Sequence, residues 1–412
     1  MDRAHDHSAA PMRTTIRQGS RLCAVLIAMM LPLITGTGLA DARPQIPLPF
    51  SVTDYSVLTD DPGGPDFKIF YSAGSLAGVF DPILPGTSES GAENQIRDRD
   101  GRIVWRYRAP TGKGLANFRT QTYRGDRVMT WWEGTNQIGR GSGEAVIATM
   151  DGSIITRLTA GPDLPADAHE FRLTSNGYAL ITAYREISAD LSSIGGSTDA
   201  TMLDSVASVI DVATGKVVQQ WSAYAHVPLT EATDGGTTRA ANLGPLFDPY
   251  HINSIAMGPN GDLLISLRGT NTVYSVDLES GRIRWRLGGI SSDFTLGAGA
   301  DFAGQHDAEY VDDTTIRLFD NAVDGTSIDG ASQGKWIRID PRAGSARLVR
   351  SVGAGQNLST LAMGNVSAVA GGYSFVGWGS ASRVSLFSPR GRLIYDAKLG
   401  VPTYRAYFEQ WP

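Results

Sequence analysis

The stretch DRDGRIVWRY, residues 98–107, joins an acidic, glycine-containing turn to a run of β-branched and aromatic residues. Asp and Gly tolerate the backbone angles of a tight turn, and the Ile-Val-Trp pattern that follows is typical of a strand. The stretch therefore predicts a turn at Gly101 that leads directly into a β-strand.

Five further copies of this phrase follow at intervals of roughly 60 residues. They are TMDGSIITRL (149–158), DVATGKVVQQW (211–221), DLESGRIRWRL (277–287), DPRAGSARLV (340–349) and SPRGRLIYDA (388–397). In three copies an aromatic residue lies on the same face of the strand after the turn: Trp105, Trp285 and Tyr395. The pattern predicts six copies of one structural unit.

A second repeated unit lies between these phrases and consists of two strand-like stretches joined by a turn. Its instances are NFRTQTYRGDRVMTWWEG (117–134), HEFRLTSNGYALITAYR (169–185), HINSIAMGPNGDLLISLR (251–268), HDAEYVDDTTIRLFD (306–320) and NVSAVAGGYSFVGWG (365–379). Helical periodicity is almost absent, so the short strands indicate a sandwich, a barrel or a propeller. Six units that each supply four strands favour an all-β fold, the six-bladed β-propeller.

The composition excludes several classes of protein. The chain has 412 residues, a formal net charge of −6, 42% hydrophobic residues and one cysteine. An acidic balance argues against a nucleic-acid partner, which usually requires a basic surface. The hydrophobic content argues against a disordered chain, and a single thiol excludes a disulfide framework or a cysteine-ligated metal site.

The N-terminus has the features of a cleaved signal peptide. Basic residues at 13, 17 and 21 precede an apolar run over 22–34, and Ala-Asp-Ala at 40–42 offers a cleavage site. The alternative is an uncleaved membrane anchor. We predict a signal peptide over residues 1–42, an N-terminal extension over 43–66 and one propeller domain over 67–412. The mature chain is then a secreted protein, periplasmic or extracellular, that is not bound to a membrane.

Three histidines open successive copies of the second repeated unit: His169, His251 and His306. The innermost strand of each propeller blade lines the central channel, so equivalent positions in different blades converge on the axis. We therefore expect these histidines to be neighbours. Arg268 ends the strand pair that begins at His251, and we expect it to return to the same channel.

Three kinds of chemistry are open for such a cluster. The histidines could be channel-lining polar residues that contact only water. Three imidazoles could bind zinc, although an arginine aimed at the same point would repel a cation. An arginine offers a planar fork of donors and each protonated histidine adds one, so a tetrahedral oxyanion fits best. We predict that the protein uses no metal and no cofactor.

Nine stretches carry a family resemblance, in the same order along the chain. They are TWWEG (130–134), DPYHINSI (248–255), SLRGTN (266–271), RWRLGG (284–289), GQHDAEY (304–310), LFDNA (318–322), GNVSAV (364–369), GWGSAS (377–382) and TYRAYFEQW (403–411). Through them the chain resembles the arylsulfotransferase family, most closely its shorter branch of secreted proteins in fungi and actinobacteria.

The resemblance implies a six-bladed propeller that moves a sulfuryl group from an aryl sulfate to a small phenolic acceptor. It implies that His306, in the QHDA motif, is the nucleophile, with His251, Arg268 and His169 as supporting catalytic residues. Tyr404 and Arg405 are further candidates for the wall of the substrate pocket. The chain has no G-x-x-x-x-G-K-[ST] loop, so a nucleotide-linked sulfate donor is unsupported.

Two other functions stay open beside this one. A secreted propeller could hold an anionic ligand in the same channel without catalysis, or it could be a sulfatase-like or other enzyme of secondary metabolism. An enzyme needs His306 open to an in-line approach, with Arg268 in reach of the same oxygens.

Several other residues carry weaker expectations. Asp248, Asp307 and Asp320 are candidates for orienting the histidines. The glycine-rich residues 139–143 are expected to form a loop.

Overall fold

The fold is a six-bladed β-propeller, which confirms the predicted fold class. The computed structural model describes residues 51–74, 91–137, 139–233, 247–324, 327–328 and 330–411. Nearly all of their regular structure is β, in six large sheets of four or five strands and one two-stranded hairpin. The predicted signal peptide lies outside the described residues.

The four innermost strands of each blade form an antiparallel sheet, and we number the blades along the chain. From the innermost strand outwards, blade 1 contains Ala406–Glu409, Lys68–Ala73, Glu93–Arg97 and Ile103–Arg108; blade 2 contains Gly114–Tyr123, Asp126–Gln137, Arg140–Ala148 and Ile154–Leu158; and blade 3 contains Phe171–Leu173, Tyr178–Ala189, Ala200–Asp211 and Val217–Ser222.

The other three blades follow the same plan, and two of them carry a fifth, outermost strand. Blade 4 contains Ile252–Met257, Asp262–Leu267, Thr272–Asp277 and Ile283–Gly288; blade 5 contains His306–Tyr310, Thr315–Asp320, Gln333–Asp340, Ser345–Val352 and Thr295–Leu296; and blade 6 contains Asn365–Val369, Tyr373–Gly377, Arg383–Phe387, Leu393–Leu399 and Tyr55–Asp60.

The remaining elements are short. Val323–Asp324 pairs with Ser327–Ile328. One α-helical turn covers Ala223–His226, and 3-10 turns cover Ser192–Ile194, Leu229–Glu231, Arg268–Thr270, Ala354–Gln356, Ala370–Gly372 and Gly379–Ala381.

The six repeated phrases all form the turn between the third and fourth strands of a blade. Their glycines adopt positive φ angles between 59° and 95° at Gly101, Gly152, Gly215, Gly281, Gly344 and Gly391. Residues with a Cβ rarely adopt these angles, which explains why glycine recurs at this position. The second repeated unit forms the hairpin of the first and second strands, so its first residue stands at the entrance of the channel.

Both ends of the described chain close the ring. The strand Ala406–Glu409 is the innermost strand of blade 1 and pairs with Lys68–Ala73. Tyr55–Asp60 pairs with Leu393–Leu399 as the outermost strand of blade 6. The propeller therefore includes residues before the predicted domain start at residue 67. The sequence did not reveal the strand Tyr55–Asp60 because it carries no copy of the turn phrase.

The glycine-rich segment 139–143 is not a loop throughout, because Arg140–Ala148 is a strand. A Cβ on Gly141 would lie 2.5 Å from Cζ2 of Trp132, and a Cβ on Gly143 would lie 2.3 Å from the carbonyl oxygen of Glu133. These glycines allow the strand to pack closely against its neighbours. Trp131 and Trp132 are fully buried between blades.

Candidate functional site

The three predicted histidines meet at one end of the channel, where the innermost strands begin. The ring centroids of His169 and His251 lie 4.9 Å apart. The ring of Tyr404 lies 5.2 Å from that of His169 and 6.2 Å from that of His306. Tyr184 borders the same space, with its ring 6.0 Å from His169 and 6.1 Å from His251. Together these side chains form what we call the histidine site.

Two of the histidines are held by aspartates. Nδ1 of His169 lies 2.5 Å from Oδ2 of Asp167, and Nδ1 of His251 lies 2.6 Å from Oδ2 of Asp248. Each aspartate also accepts the backbone N–H of its histidine at 2.9 Å. An aspartate on Nδ1 fixes the orientation of the ring and leaves Nε2 directed away from the carboxylate.

The carboxylate of Asp167 is ionised at neutral pH despite its burial. Burial opposes its charge, but His169 and two backbone N–H groups hold the pKa of Asp167 below its usual value. Asp248 orients a histidine, as the sequence analysis predicted, whereas the role of Asp167 was missed. The signal that could have revealed Asp167 is its place two residues before a channel histidine.

His306 has a different environment. Its Nδ1 lies 2.8 Å from Oδ1 of Asn321 and 2.9 Å from the carbonyl oxygen of Gly304. Both partners are acceptors, so Nδ1 carries the proton and Nε2 carries the lone pair. Burial, and next the charge of Arg268, hold the pKa of His306 well below the usual value. The ring is therefore neutral at physiological pH.

The lone pair of His306 is covered. The backbone N–H of Met363 donates a hydrogen bond to Nε2 at 3.1 Å, and His306 is only 1% exposed. The open in-line approach expected for an enzyme is therefore not present in this conformation. A sulfur atom could reach Nε2 only after the Met363 N–H has moved away.

Arg268 lies beside the histidine site. Ile252 pairs with Leu267 across the blade 4 hairpin, so Arg268, the residue after Leu267, stands next to His251. The backbone N–H of Arg268 donates to the carbonyl oxygen of His251 at 3.0 Å. Nη2 of Arg268 donates to the carbonyl oxygen of Leu361 at 3.5 Å. The charge of Arg268 contributes to the lowered pKa of His306.

The two other candidates have different surroundings. Tyr404 contacts the histidines, whereas Arg405 belongs to a layer below them. Arg405 is fully buried, with Nη1 2.9 Å from Glu170 and 3.2 Å from Asp307. Its Nη2 donates to the carbonyl oxygen of Asn253 at 2.9 Å, so both Nη atoms of Arg405 are bound within the chain.

The other two aspartate candidates do not contact a histidine ring. Asp307 pairs with Arg405, although it directly follows His306. Asp320 lies 2.8 Å from Nζ of Lys335.

Glu170 is the centre of this lower layer. It is fully buried and accepts from Arg119 and Arg405, each at 2.9 Å. Burial opposes its charge, but the surrounding arginines lower the pKa of Glu170 to about 2. It remains ionised throughout the physiological range and neutralises the guanidinium groups around it.

Glu170→Ala should lower the free energy of unfolding by about 3–5 kcal/mol, because it leaves a buried guanidinium without its partner. Glu144→Ala is the matched control, since the Glu144 side chain is 45% exposed and its ion pair with Arg157 is worth about 1 kcal/mol or less. Denaturant unfolding of both variants measures the difference. Equal losses of stability would contradict the structural role of Glu170.

No group of three or more His, Cys, Asp or Glu residues within the described ranges is arranged to hold a metal ion. None of the helices that the structure describes is long and apolar enough to cross a membrane. The opposite end of the channel holds a cavity of about 660 Å³, lined by ion pairs such as that of Arg172 with Glu309.

Comparisons with known proteins fit this architecture. The model of a protein family described as arylsulfotransferase (ASST) matches residues 119–400, a range that includes His169, His251, Arg268 and His306. No curated protein matches the sequence.

Three solved structures are distantly similar to this chain. A protein of unknown function from Bacteroides caccae is 12% identical, with a TM-score of 0.49, and the match covers 84% of this chain and 100% of that one. The periplasmic gluconolactonase PpgL of Pseudomonas aeruginosa is 13% identical, with a TM-score of 0.45 and the same coverage. A catalytically inactive virginiamycin B lyase from Staphylococcus aureus is 12% identical, with a TM-score of 0.40, and 83% of this chain covers 88% of that one. These TM-scores are below 0.5 and carry no argument about function.

Proposed function

We propose that this chain, which belongs to the arylsulfotransferase family, transfers a sulfuryl group from an aryl sulfate to a phenolic acceptor through a covalent intermediate on His306. The family assignment supports a sulfotransferase-like activity. The residues that we assign to the reaction are His306, His251, His169 and Arg268.

One observation carries the assignment of roles, namely the different partners of the three Nδ1 atoms. Two rings face carboxylates, which would stabilise the imidazolium that forms when Nε2 takes up a proton. The third faces an amide oxygen and a carbonyl oxygen in a buried site, which suits it to remain neutral with a free pair on Nε2. Groups whose environments favour opposite protonation states are typical of an acid–nucleophile division of labour.

The transfer then follows from these positions. Nε2 of His306 forms a bond to sulfur while the bond from sulfur to the aryl oxygen breaks, and the electron pair of that bond leaves on the oxygen. His251 or His169 gives this oxygen a proton and becomes neutral. An acceptor phenol returns the proton to the same histidine as its oxygen attacks sulfur, which releases His306. Arg268 would bind the sulfuryl oxygens in both steps, as cations do in phosphoryl transfer.

The activity should persist at acidic pH. Attack requires neutral His306, and its pKa is held well below the usual value by burial and by Arg268. The rate should therefore not fall as the pH passes about 6.5, the ordinary histidine value, but only at lower pH where His306 becomes protonated. Removing the neighbouring charge in Arg268→Gln should move this acid limb to higher pH. Profiles of kcat/KM against pH test both statements, and a wild-type midpoint near 6.5 would contradict the first.

Release of nitrophenol from p-nitrophenyl sulfate, with and without added phenol, tests the function. We expect release that depends on the acceptor, with initial rates that show a ping-pong pattern. Release that ignores the acceptor would indicate a sulfatase-like hydrolysis instead.

A second candidate function is binding of an anionic small molecule without catalysis. The hydrogen bond from Met363 to Nε2 of His306 favours it, because the lone pair is covered. Binding of p-nitrophenyl sulfate to the folded protein with no release of nitrophenol would support this candidate.

We further propose that the chain is exported through the N-terminal segment and acts on small phenols in the periplasm or outside the cell.

A further inference from the structure

We propose that Asn321 is a positioning residue that selects Nε2 of His306 as the reactive nitrogen and ties the ring to a cap formed by the Met363 amide. The inference deepens the proposed function and rests on it for its catalytic meaning. Asn321 directly follows the blade 5 strand Thr315–Asp320 and is fully buried.

Asn321 closes a ring of three hydrogen bonds. Nδ1–H of His306 donates to Oδ1 of Asn321 at 2.8 Å, and Nδ2 of Asn321 donates to the carbonyl oxygen of Met363 at 3.0 Å. The N–H of Met363 completes the ring by donating to Nε2 of His306 at 3.1 Å. In these three hydrogen bonds every donor faces an acceptor only when the imidazole of His306 is neutral and carries its proton on Nδ1.

The orientation of the Asn321 amide is fixed independently of His306. Its Nδ2 also donates to the carbonyl oxygen of Thr360 at 3.1 Å, so two carbonyl groups hold the nitrogen on the side away from the imidazole. Reversing the amide would place Nδ2 against the Nδ1–H of His306 and Oδ1 against both carbonyl groups. The backbone of residues 360–363 therefore sets which atom the histidine ring faces.

An amide at this position has a different effect from the aspartates that hold His169 and His251. A carboxylate on Nδ1 would stabilise the imidazolium, which has no lone pair to attack sulfur. The neutral oxygen of Asn321 orients the ring without adding that charge. The chain thus uses an amide where it needs a nucleophile and carboxylates where it needs donors.

The same ring sets the condition for reaction. The Met363 N–H occupies the lone pair that must bond to sulfur, so residues 360–363 must shift when an aryl sulfate enters. Met363 has a φ of +67°, an uncommon conformation for a residue with a side chain. The carbonyl oxygen of Gly304, outside this segment, also accepts from Nδ1 of His306 at 2.9 Å, so the imidazole keeps its orientation when residues 360–363 shift.

Nitrogen NMR of histidine-labelled protein tests the inference without any need for turnover. His306→Gln identifies the signals of His306, and the exposed His226 provides an internal reference. We expect wild-type His306 to be neutral and protonated on Nδ1 at about pH 6.5, the ordinary midpoint of a histidine side chain. Asn321→Asp should raise the titration midpoint of His306 by roughly 1 pH unit or more, whereas Asn321→Ala should broaden the tautomer distribution. Asn94→Asp is the matched control, since Asn94 is also fully buried but lies in blade 1.

The outcomes separate this inference from the proposed function. A wild-type His306 with its proton on Nε2, or an unchanged midpoint in folded Asn321→Asp, would overturn the inference whatever the activity. The expected NMR result in a protein that transfers no sulfuryl group would support the positioning role and contradict the enzymatic one. If Asn321→Asp fails to fold, the tautomer of His306 in the wild-type protein and in Asn321→Ala still tests the positioning role of Asn321. The acid limb of kcat/KM should move upward in Asn321→Asp and stay in place in Asn94→Asp.

Discussion

His306→Ala should lower the acceptor-dependent release of nitrophenol by roughly 10⁴-fold or more, as expected when a covalent nucleophile is removed. We expect no other imidazole in the histidine site to substitute, because the Nδ1 atoms of His169 and His251 are bound to aspartates that fix the orientation of their rings. Turnover of p-nitrophenyl sulfate with phenol as acceptor measures the loss.

Two controls make this result specific. His226→Ala removes an exposed histidine whose ring stacks on Trp221 at 5.3 Å, outside the histidine site, and should retain wild-type activity. His306→Gln keeps a polar side chain near the Met363 amide and separates loss of chemistry from loss of packing. If either His306 variant stays folded and within tenfold of the wild-type rate, transfer does not pass through His306.

Arg268→Ala should lower turnover by roughly 10²–10³-fold, the usual effect of removing one donor that stabilises charge in a transition state. In transfer of a sulfuryl group the negative charge is spread over three oxygens, and the backbone hydrogen bond from Arg268 to His251 holds this arginine beside the histidine site. Arg268→Lys should recover only part of the rate, because an ammonium keeps the charge but loses the planar pair of donors.

Arg284→Ala is the control for this second prediction. Arg284 pairs with Asp277 at 2.5 Å at the outer edge of the same blade, so its loss removes one positive charge at a distance from the histidine site. Comparable rates for Arg268→Ala and the wild-type protein would show that the arginine does not bind the transferred group. A rise in KM with unchanged kcat would show that it binds donor and transition state equally.

The sequence predicted what depends on repetition. Gly101 and its five equivalents recur because one turn needs a positive φ, and this period revealed the number of blades. His169, His251 and His306 each stand at or just before the start of an innermost strand, so the symmetry of the ring predicted that they meet. Arg268 followed from the register of a single hairpin.

What the sequence did not reveal depends on contacts between segments that no repeat relates. Asn321 follows a strand of blade 5 and looks like a turn residue, while its neighbour Asp320 was the more obvious candidate and instead pairs with Lys335. Met363 contacts His306 through its backbone, 57 residues away, so its side chain gives no signal. Arg405 was predicted at the pocket wall because its charge was visible in the sequence, but its burial and its partner Glu170 were not.

The double closure of the ring couples the integrity of the propeller to that of the histidine site. The innermost strand of blade 1 is Ala406–Glu409, and it directly follows Tyr404, whose ring borders the histidines, and Arg405, whose Nη1 pairs with Glu170. The hydroxyl groups of Tyr55 and Tyr395 meet at 2.8 Å although 340 residues separate them, so the second seam also joins segments that are distant in the sequence. A backbone cut just before Tyr404 would therefore open blade 1 and detach one wall of the histidine site in a single event.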